Sequence, residues 1–252
     1  MIQIDRLPAF NDNYLWGLYE GQSAWVVDPG DAEVVETWLT QKNLVLNGIL
    51  LTHHHNDHTG GVEALVGRNP MVEVIGSKQA LRGVSTPVSD GDTIDLLSRR
   101  FQVMEVPGHT LDHVAFFSAD PSPILFCGDT VFLGGCGRMF EGTPEQFQSS
   151  LARIAQLPPE TMLYCAHEYT QANMEFACRM LPDNQAASER LTDVKSLREN
   201  NVPTVPDSLE RELHCNPFFR LNDPSLMNQI GADESTSLPE RFARVRQAKD
   251  NA

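Results

Sequence analysis

The segment Thr52-His53-His54-His55-Asn56-Asp57-His58 constrains this chain more than any other. Four imidazoles and a carboxylate fall within six residues, directly after the apolar run Gly48-Ile49-Leu50-Leu51. A short apolar run opened by Asn47-Gly48 reads as a buried strand. The histidines then occupy the loop at its C-terminal end, where open α/β sheets place their sites. Neutral imidazole is the commonest metal ligand, and a carboxylate adds a hard, charged one. In His-x-His-x-Asp-His, alternate residues can face one metal while the adjacent Asp57-His58 pair turns toward a second. One metal rarely needs so many ligands from one loop, so the pattern points to a two-metal hydrolytic centre. A purification tag or storage tract fits poorly, because the segment is internal, follows a strand and is interrupted by Asn56 and Asp57.

The remaining composition narrows the class. A length of 252 residues suits one large domain, or one domain with a small appendage. A hydrophobic content of 41% supplies a core and argues against disorder. No stretch approaches the roughly 18 consecutive apolar residues of a membrane span. The opening Met1-Ile2-Gln3-Ile4-Asp5-Arg6 has no apolar signal region, so the expectation is a cytoplasmic protein without membrane association. Five cysteines, an odd number without framework spacing, read as reduced thiols. A formal charge of −15 disfavours nucleic acid and anionic membranes as partners. The same charge makes clustered Arg and Lys informative, since an anionic substrate would need them.

Strands are expected at 14–19, 24–28, 48–51, 72–75, 101–106, 115–118, 124–126 and 162–165, several of them apolar on both faces. Helices are expected at 32–41, 62–66 and 143–155, the last opened by Thr143 as N-cap with Pro144 at the first helical position. Beyond residue 169 the pattern turns helical, over 171–180, 185–200 and 239–250, with the prolines of 202–206 as a break. The fold expected is therefore an α/β (α+β) domain over 1–169 followed by a small helical domain over 170–252.

Three more strand-end loops carry metal-competent residues: Val106-Pro107-Gly108-His109-Thr110, Phe126-Cys127-Gly128-Asp129-Thr130 and Leu163-Tyr164-Cys165-Ala166-His167-Glu168. Each alone is an ordinary loop. Four such loops in one chain are hard to obtain by chance.

These segments resemble the ligand motifs of the metallo-β-lactamase fold, an αββα four-layer sandwich. The segments Pro8-Ala9-Phe10-Asn11-Asp12-Asn13-Tyr14, Gly134-Gly135-Cys136-Gly137-Arg138-Met139-Phe140-Glu141-Gly142-Thr143 and His167-Glu168-Tyr169-Thr170 resemble, more narrowly, the glyoxalase II (hydroxyacylglutathione hydrolase) family, and the likeness runs over nearly the whole chain. The resemblance implies two divalent metals per chain. His53, His55 and His109 would hold one, Asp57, His58 and His167 the other, with Asp129 bridging. Zinc is expected, with iron and manganese suiting the same ligands. His54 is set aside as a non-ligand, and His113 and His214 are read as structural.

The activity implied is hydrolysis of S-(2-hydroxyacyl)glutathione, typically S-D-lactoylglutathione, to glutathione and a 2-hydroxy acid, the second step of methylglyoxal detoxification. A hydroxide shared by the metals would attack the thioester, with Asp57 and Asp129 orienting it. A thiol of pKa about 8.5 leaves readily, so no strong general acid is needed. The glutathione thioester is the one partner expected, and the chain is expected to be a monomer. The resemblance puts Arg138, Tyr169, Arg246 and Lys249 on the glutathione moiety. Arg246 and Lys249 lie three apart and so share a helix face. Phe140 stands where some relatives have Tyr, which removes a hydroxyl and leaves a van der Waals neighbour. Arg138 replaces a Lys of some relatives and keeps its charge. Cys127 and Cys136 are expected to pack. Two other readings compete: a lactonase or β-lactamase of the same superfamily, and a di-iron redox module, for which no flavin-binding segment is evident.

Overall fold

The computed structural model describes residues 2–77 and 83–252. Its contacts divide into two compact units, Met1–Glu105 with Asp112–Gly128, and Val106–Leu111 with Asp129–Ala252.

In the first unit, β1 (Gln3–Ala9), β2 (Asn13–Glu20), β3 (Ser23–Val27), β4 (Val45–Leu50), β5 (Glu73–Ser77) and β6 (Thr86–Val88) form one sheet in that order. β1 to β3 pair antiparallel and β3 to β6 parallel. Parallel neighbours need a crossover; α1 (Ala32–Lys42) supplies it between β3 and β4, and α2 (Asn56–Thr59) with α3 (Val62–Arg68) between β4 and β5. Helix α1 starts where the Asp31 carboxylate accepts the Glu33 and Val34 amides and stops at Asn43, which adopts φ 54°, a left-handed cap that Asn tolerates. Val35 and Trp38 of α1 and Leu65 of α3 pack on Leu15, Val26, Ile49 and Val74 of the sheet. Burying such side chains gives about 1.5–3 kcal/mol each. The Trp38 indole N–H donates to Asp5 at 2.8 Å, tying α1 to the edge strand. A meander of β7 (Thr93–Leu96), β8 (Arg99–Glu105), β9 (Val114–Ser118) and β10 (Ile124–Gly128) makes further antiparallel sheet. Phe101, Phe116 and Phe126 are fully buried in it.

The second unit opens with the short hairpin β11 (Val131–Phe132) and β12 (Gly135–Cys136). Helix α4 (Pro144–Ile154) follows, with Thr143 and Gln146 closing a capping box and Pro144 in the first turn, as expected. Strands β13 (Met162–Cys165) and β14 (Asp207–Ser208) pair antiparallel. Around them lie α5 (Thr170–Met180), α6 (Gln185–Glu199), α7 (Leu209–Cys215), α8 (Pro224–Gln229) and α9 (Leu238–Asp250). Phe242 of α9 meets Phe147 of α4 and Phe218, with ring centroids 5.2 and 5.6 Å away.

A buried charge network braces the β11–β12 turn. Arg190 donates to Glu212, Asp207 and the Cys215 sulfur, while Glu212 accepts the Gly134 amide and the Asn216 side chain, both at 2.8 Å. Burial opposes the charge of Arg190, but Glu212, Cys215 and Asp207 outweigh it and hold its pKa above the ordinary value. A buried pair earns its place only when its remaining polar groups are bonded, as these are.

All eight expected strands and all six expected helical stretches occur, with ends displaced by a few residues. Strands β1, β6, β7, β11, β12 and β14 and helices α2, α7 and α8 were not anticipated. The five cysteines are free thiols, and no helix among the described residues is long and apolar enough to cross a membrane.

Candidate metal centre and substrate cavity

In the first unit, β4 runs into Leu51 and Thr52, both fully buried, and delivers His53 into the interior. What aims the histidines is Asp28, at the end of β3. Its carboxylate accepts the Thr52 amide at 2.8 Å through one oxygen, and the Thr52 hydroxyl at 2.7 Å through the other. That second oxygen also faces His58 Nδ1 at 3.0 Å. The hydrogen bonds fix the protons. The Thr52 hydroxyl spends its hydrogen on Asp28, so at the 3.0 Å contact between Thr52 Oγ1 and His53 Nδ1 the imidazole is the donor. His58 Nδ1 likewise donates to the carboxylate. In the neutral rings the proton then sits on Nδ1 and Nε2 presents its lone pair, the state a metal ligand requires.

The Nε2 of His53 faces His55 Nδ1 at 3.1 Å, and the Nε2 of His58 faces an Asp57 oxygen at 3.5 Å. Asn13 donates to that same Asp57 oxygen at 3.0 Å. Asp28, His53 and His58 bring ligand-type atoms within 4.8 Å of one another. Asp28 is nevertheless an orienting group, because its oxygens are already committed to Thr52 and His58. It adopts φ 51°, a left-handed conformation that Asp bears better than most side chains. The loop also closes tightly on the turn after β3: a Cβ at Gly30 would lie 1.8 Å from the Asp57 carbonyl oxygen, so only glycine fits there.

His54 turns away from this set and meets a buried Asp112 carboxylate at 2.9 Å. His113 stacks on His53, with rings 4.7 Å apart and 13° from parallel, and its Nδ1 donates to the Val114 carbonyl. His214 binds the Glu210 carbonyl within α7.

In the second unit, Asp129 lies between two imidazoles. One oxygen is 3.4 Å from His109 Nε2, and the other is 3.5 Å from His167 Nε2. His109 Nδ1 donates to the Arg138 carbonyl at 2.7 Å, so its Nε2 is also the lone-pair nitrogen. Two imidazole nitrogens, each facing a carboxylate oxygen, make an arrangement that a divalent cation satisfies. The donor chemistry of both units thus fits the metals implied by the sequence. The 137–138 backbone can reach His109 only because residue 137 is glycine: a Cβ there would lie 2.1 Å from the Asp129 carbonyl oxygen. Tyr169 stacks on His167, with rings 4.7 Å apart and 7° from parallel, and Phe132 packs edge-on against both. Phe140 meets the His109 ring edge-to-face at 5.3 Å, an apolar neighbour as expected.

A cavity of about 510 Å³ in the second unit is lined by His109 and Asp129 together with Arg138, Tyr169, Lys249 and Asp250. The cations on its wall differ in kind. The Arg138 side chain is 68% exposed. Lys249 donates to the Ala172 carbonyl at 3.3 Å and lies over the Phe176 ring. Burial, then the charges of Arg246 and Arg179, hold its pKa below the ordinary lysine value. Arg246 is only 5% exposed. Its Nε and one terminal nitrogen bind Asp250, and the other terminal nitrogen binds the Cys136 and Gly137 carbonyls. It pins the 136–137 loop to α9 as well as contributing charge. Cys136 lines the cavity, but burial pushes its thiol up to about 11, and that of Cys165 up to about 12. Both pack as thiols.

Sequence reasoning overlooked Asp28, Asp112 and Asp250. Asp28-Pro29-Gly30 at a strand end carried a signal, because an acid followed by a turn beside a His-rich loop is a natural partner for imidazole.

Comparison with known proteins places this geometry. Residues 14–167 match the model of the Metallo-beta-lactamase superfamily, and residues 168–252 that of the Hydroxyacylglutathione hydrolase C-terminus. A hydroxyacylglutathione hydrolase of Pseudomonas putida is 48% identical over 259 residues, and one of Hahella chejuensis 42% over 255 residues. Each alignment covers 99% of both chains. A solved structure, the BLEG-1 B3 metallo-beta-lactamase, shares the fold with a TM-score of 0.66 at 20% identity, over 86% of this chain and 100% of that one. The mixed α/β sandwich with its helical C-terminal part, and the metal-dependent hydrolase that the His/Asp sets equip, are those of the relatives: the chain belongs to the hydroxyacylglutathione hydrolase family of the metallo-beta-lactamase superfamily.

Proposed function

We propose that this chain hydrolyses S-(2-hydroxyacyl)glutathione, with S-D-lactoylglutathione as its typical substrate, to glutathione and the free 2-hydroxy acid, as the second step of methylglyoxal detoxification. The observation that carries the reading is one cavity lined both by His109 and Asp129 and by the cations Arg138 and Lys249. Such a lining fits a ligand that combines a reactive thioester with carboxylates. The family membership supports the same substrate.

His53, His55 and His109 would hold one divalent metal, and Asp57, His58 and His167 a second, with Asp129 serving both sets and zinc as the ion. Bound there, the pair would supply Lewis acidity, lowering the pKa of water from about 15.7 to about 7 and polarising a carbonyl. The residues do the rest. Asp28 and the Arg138 carbonyl hold ligand imidazoles in the Nδ1–H tautomer. Asp57 and Asp129 orient the attacking oxygen. Arg138, Tyr169 and Lys249 seat the glutathione, and Arg246 adds charge while setting the loop that carries Arg138. The thiolate of glutathione departs unaided.

Residues 1–169 form the catalytic part in this reading, and 170–252 the glutathione-binding part. The chain works as a cytoplasmic monomer. The likeness to a B3 metallo-beta-lactamase is one of fold, at 20% identity, and does not favour β-lactam or lactone cleavage.

The test is thiol release from S-D-lactoylglutathione by protein from metal-replete cells. Hydrolysis should stop on chelation and return with added Zn²⁺, and elemental analysis should find two ions per chain. No thiol release from metal-loaded protein would overturn the proposal.

A further inference from the structure

The cavity holds an acid where the proposed substrate needs cations. Asp250 ends α9 and lines the same wall as Arg138, Arg246 and Lys249. One of its oxygens accepts from Arg246 twice, at 3.1 and 2.8 Å, and lies 3.9 Å from Arg138 Nε. An exposed ion pair between residues four apart on a helix is usually of little consequence. This one is different on two counts. Arg246 is nearly buried, and Arg138, from a separate segment, converges on the same oxygen. A carboxylate thus already sits between two of the cations that a substrate carboxylate would seek.

We propose that Asp250 is an intramolecular competitor that weakens the cavity's hold on glutathione. The inference rests on the thioesterase reading above. Glutathione is common to substrate and product, so contacts to it stabilise both alike. Such uniform binding lowers KM without speeding the chemical step, and it retains the product. Three uncompensated cations would bind that moiety tightly in either form. With Asp250 present their summed charge falls from three to two. An arriving carboxylate must share Arg246 and Arg138 with the resident one, and a departing glutathione is replaced by it. Tight substrate affinity is given up for release of the product.

The experiment is Asp250→Asn, which keeps the shape and an oxygen acceptor for Arg246 while removing the charge. Glutathione is titrated into wild type and variant by calorimetry, and KM for S-D-lactoylglutathione and the glutathione inhibition constant are measured at several salt concentrations. All three constants should fall together, by about threefold to tenfold, the weight of one unit charge several ångström away in a half-solvated pocket. Their dependence on salt should steepen. The gain should shrink in an Arg138→Ala background, where one of the cations that Asp250 screens is gone. Unchanged or raised constants in Asp250→Asn would overturn the proposal; a rise would mark Asp250 as a ligand or a mere brace for Arg246. A wild type that binds glutathione without hydrolysing the thioester would instead sink the thioesterase reading, because the binding titration does not depend on turnover.

Discussion

Replacing Asp28 by Asn tests whether a residue outside the proposed ligand set controls metal binding. Three donors converge on this carboxylate: the Thr52 amide, the Thr52 hydroxyl and His58 Nδ1. If the Asn oxygen stays on the Thr52 amide, its NH₂ group faces the other two donors. His58 must then move its proton to Nε2, the edge that faces Asp57, or turn away. Thr52 loses its acceptor and with it the reason His53 donates from Nδ1. Hydrogen bonds to a charged group contribute about 1.5–3 kcal/mol each, and here two are lost and one is kept in weaker form, so the cost is about 3–6 kcal/mol. In a protein of this size that lowers Tm by about 6–24 °C. Removing the outer partner of a ligand histidine typically weakens metal affinity by about 10–100-fold. The assay is metal content after growth in metal-replete medium, competition against a chromophoric chelator, and thermal melts with and without chelator. Asp28→Asn with wild-type metal stoichiometry, affinity and Tm would refute the reasoning, and would mean that the Thr52–Asp28–His58 contacts do not set the tautomers.

Lys249 should impose a pH dependence on glutathione binding. Its ammonium is the binding form, and its pKa lies below the ordinary value through burial and the charges of Arg246 and Arg179, so affinity is full below that lowered pKa and falls as pH rises through it. Lys249→Arg, which stays charged, should abolish the alkaline fall in a calorimetric pH series; an identical fall would exclude Lys249. Phe147→Ala should destabilise by about 3–5 kcal/mol, because Phe147 is fully buried against Phe242 and fills the space beside Gly108. A denaturant midpoint equal to wild type would contradict that packing. Cys136 and Cys165, with thiols pushed up to about 11 and 12 by burial, should resist alkylation at neutral pH in the folded protein and react once it is denatured, as followed by mass spectrometry. Rapid labelling of either in the native state would show that the site opens.

The parts of the fold legible in the sequence are those whose burial is two-sided or whose ends carry local chemistry. Strand β10 is buried at every position, Ile124–Gly128, so it appears as an unbroken apolar run. Helix α4 announces itself through Thr143-Pro144-Glu145-Gln146, and the capping box forms. Strands β1 and β7 were invisible for the opposite reason. Gln3–Ala9 and Thr93–Leu96 are mostly exposed or half-buried, carry charged residues and show no clean alternation, and their strand character comes from the neighbour each pairs with. The two-residue strands of the β11–β12 hairpin have no periodicity to read.

The site divides along the same line. Residue type and spacing nominated His53, His55, Asp57, His58, His109, Asp129 and His167, because imidazoles at strand ends are scarce. Spacing also placed Arg246 and Lys249 on one helix face, and both do reach the cavity wall. It gave no way to tell their jobs apart. Arg246 is enclosed by carbonyls of the 136–137 loop, more than a hundred positions away, and by Asp250. Within the triplet His53-His54-His55, composition treats the rings as equals. What separates them is the direction in which the fold turns each ring: His53 leans on Thr52 and through it on Asp28, while His54 is drawn off by Asp112. A fixed acceptor on one ring nitrogen sets the tautomer, and the fold decides what the other nitrogen then faces. Those acceptors, Thr52 and Asp28 for one loop and the Arg138 carbonyl for another, are brought into place only by the fold.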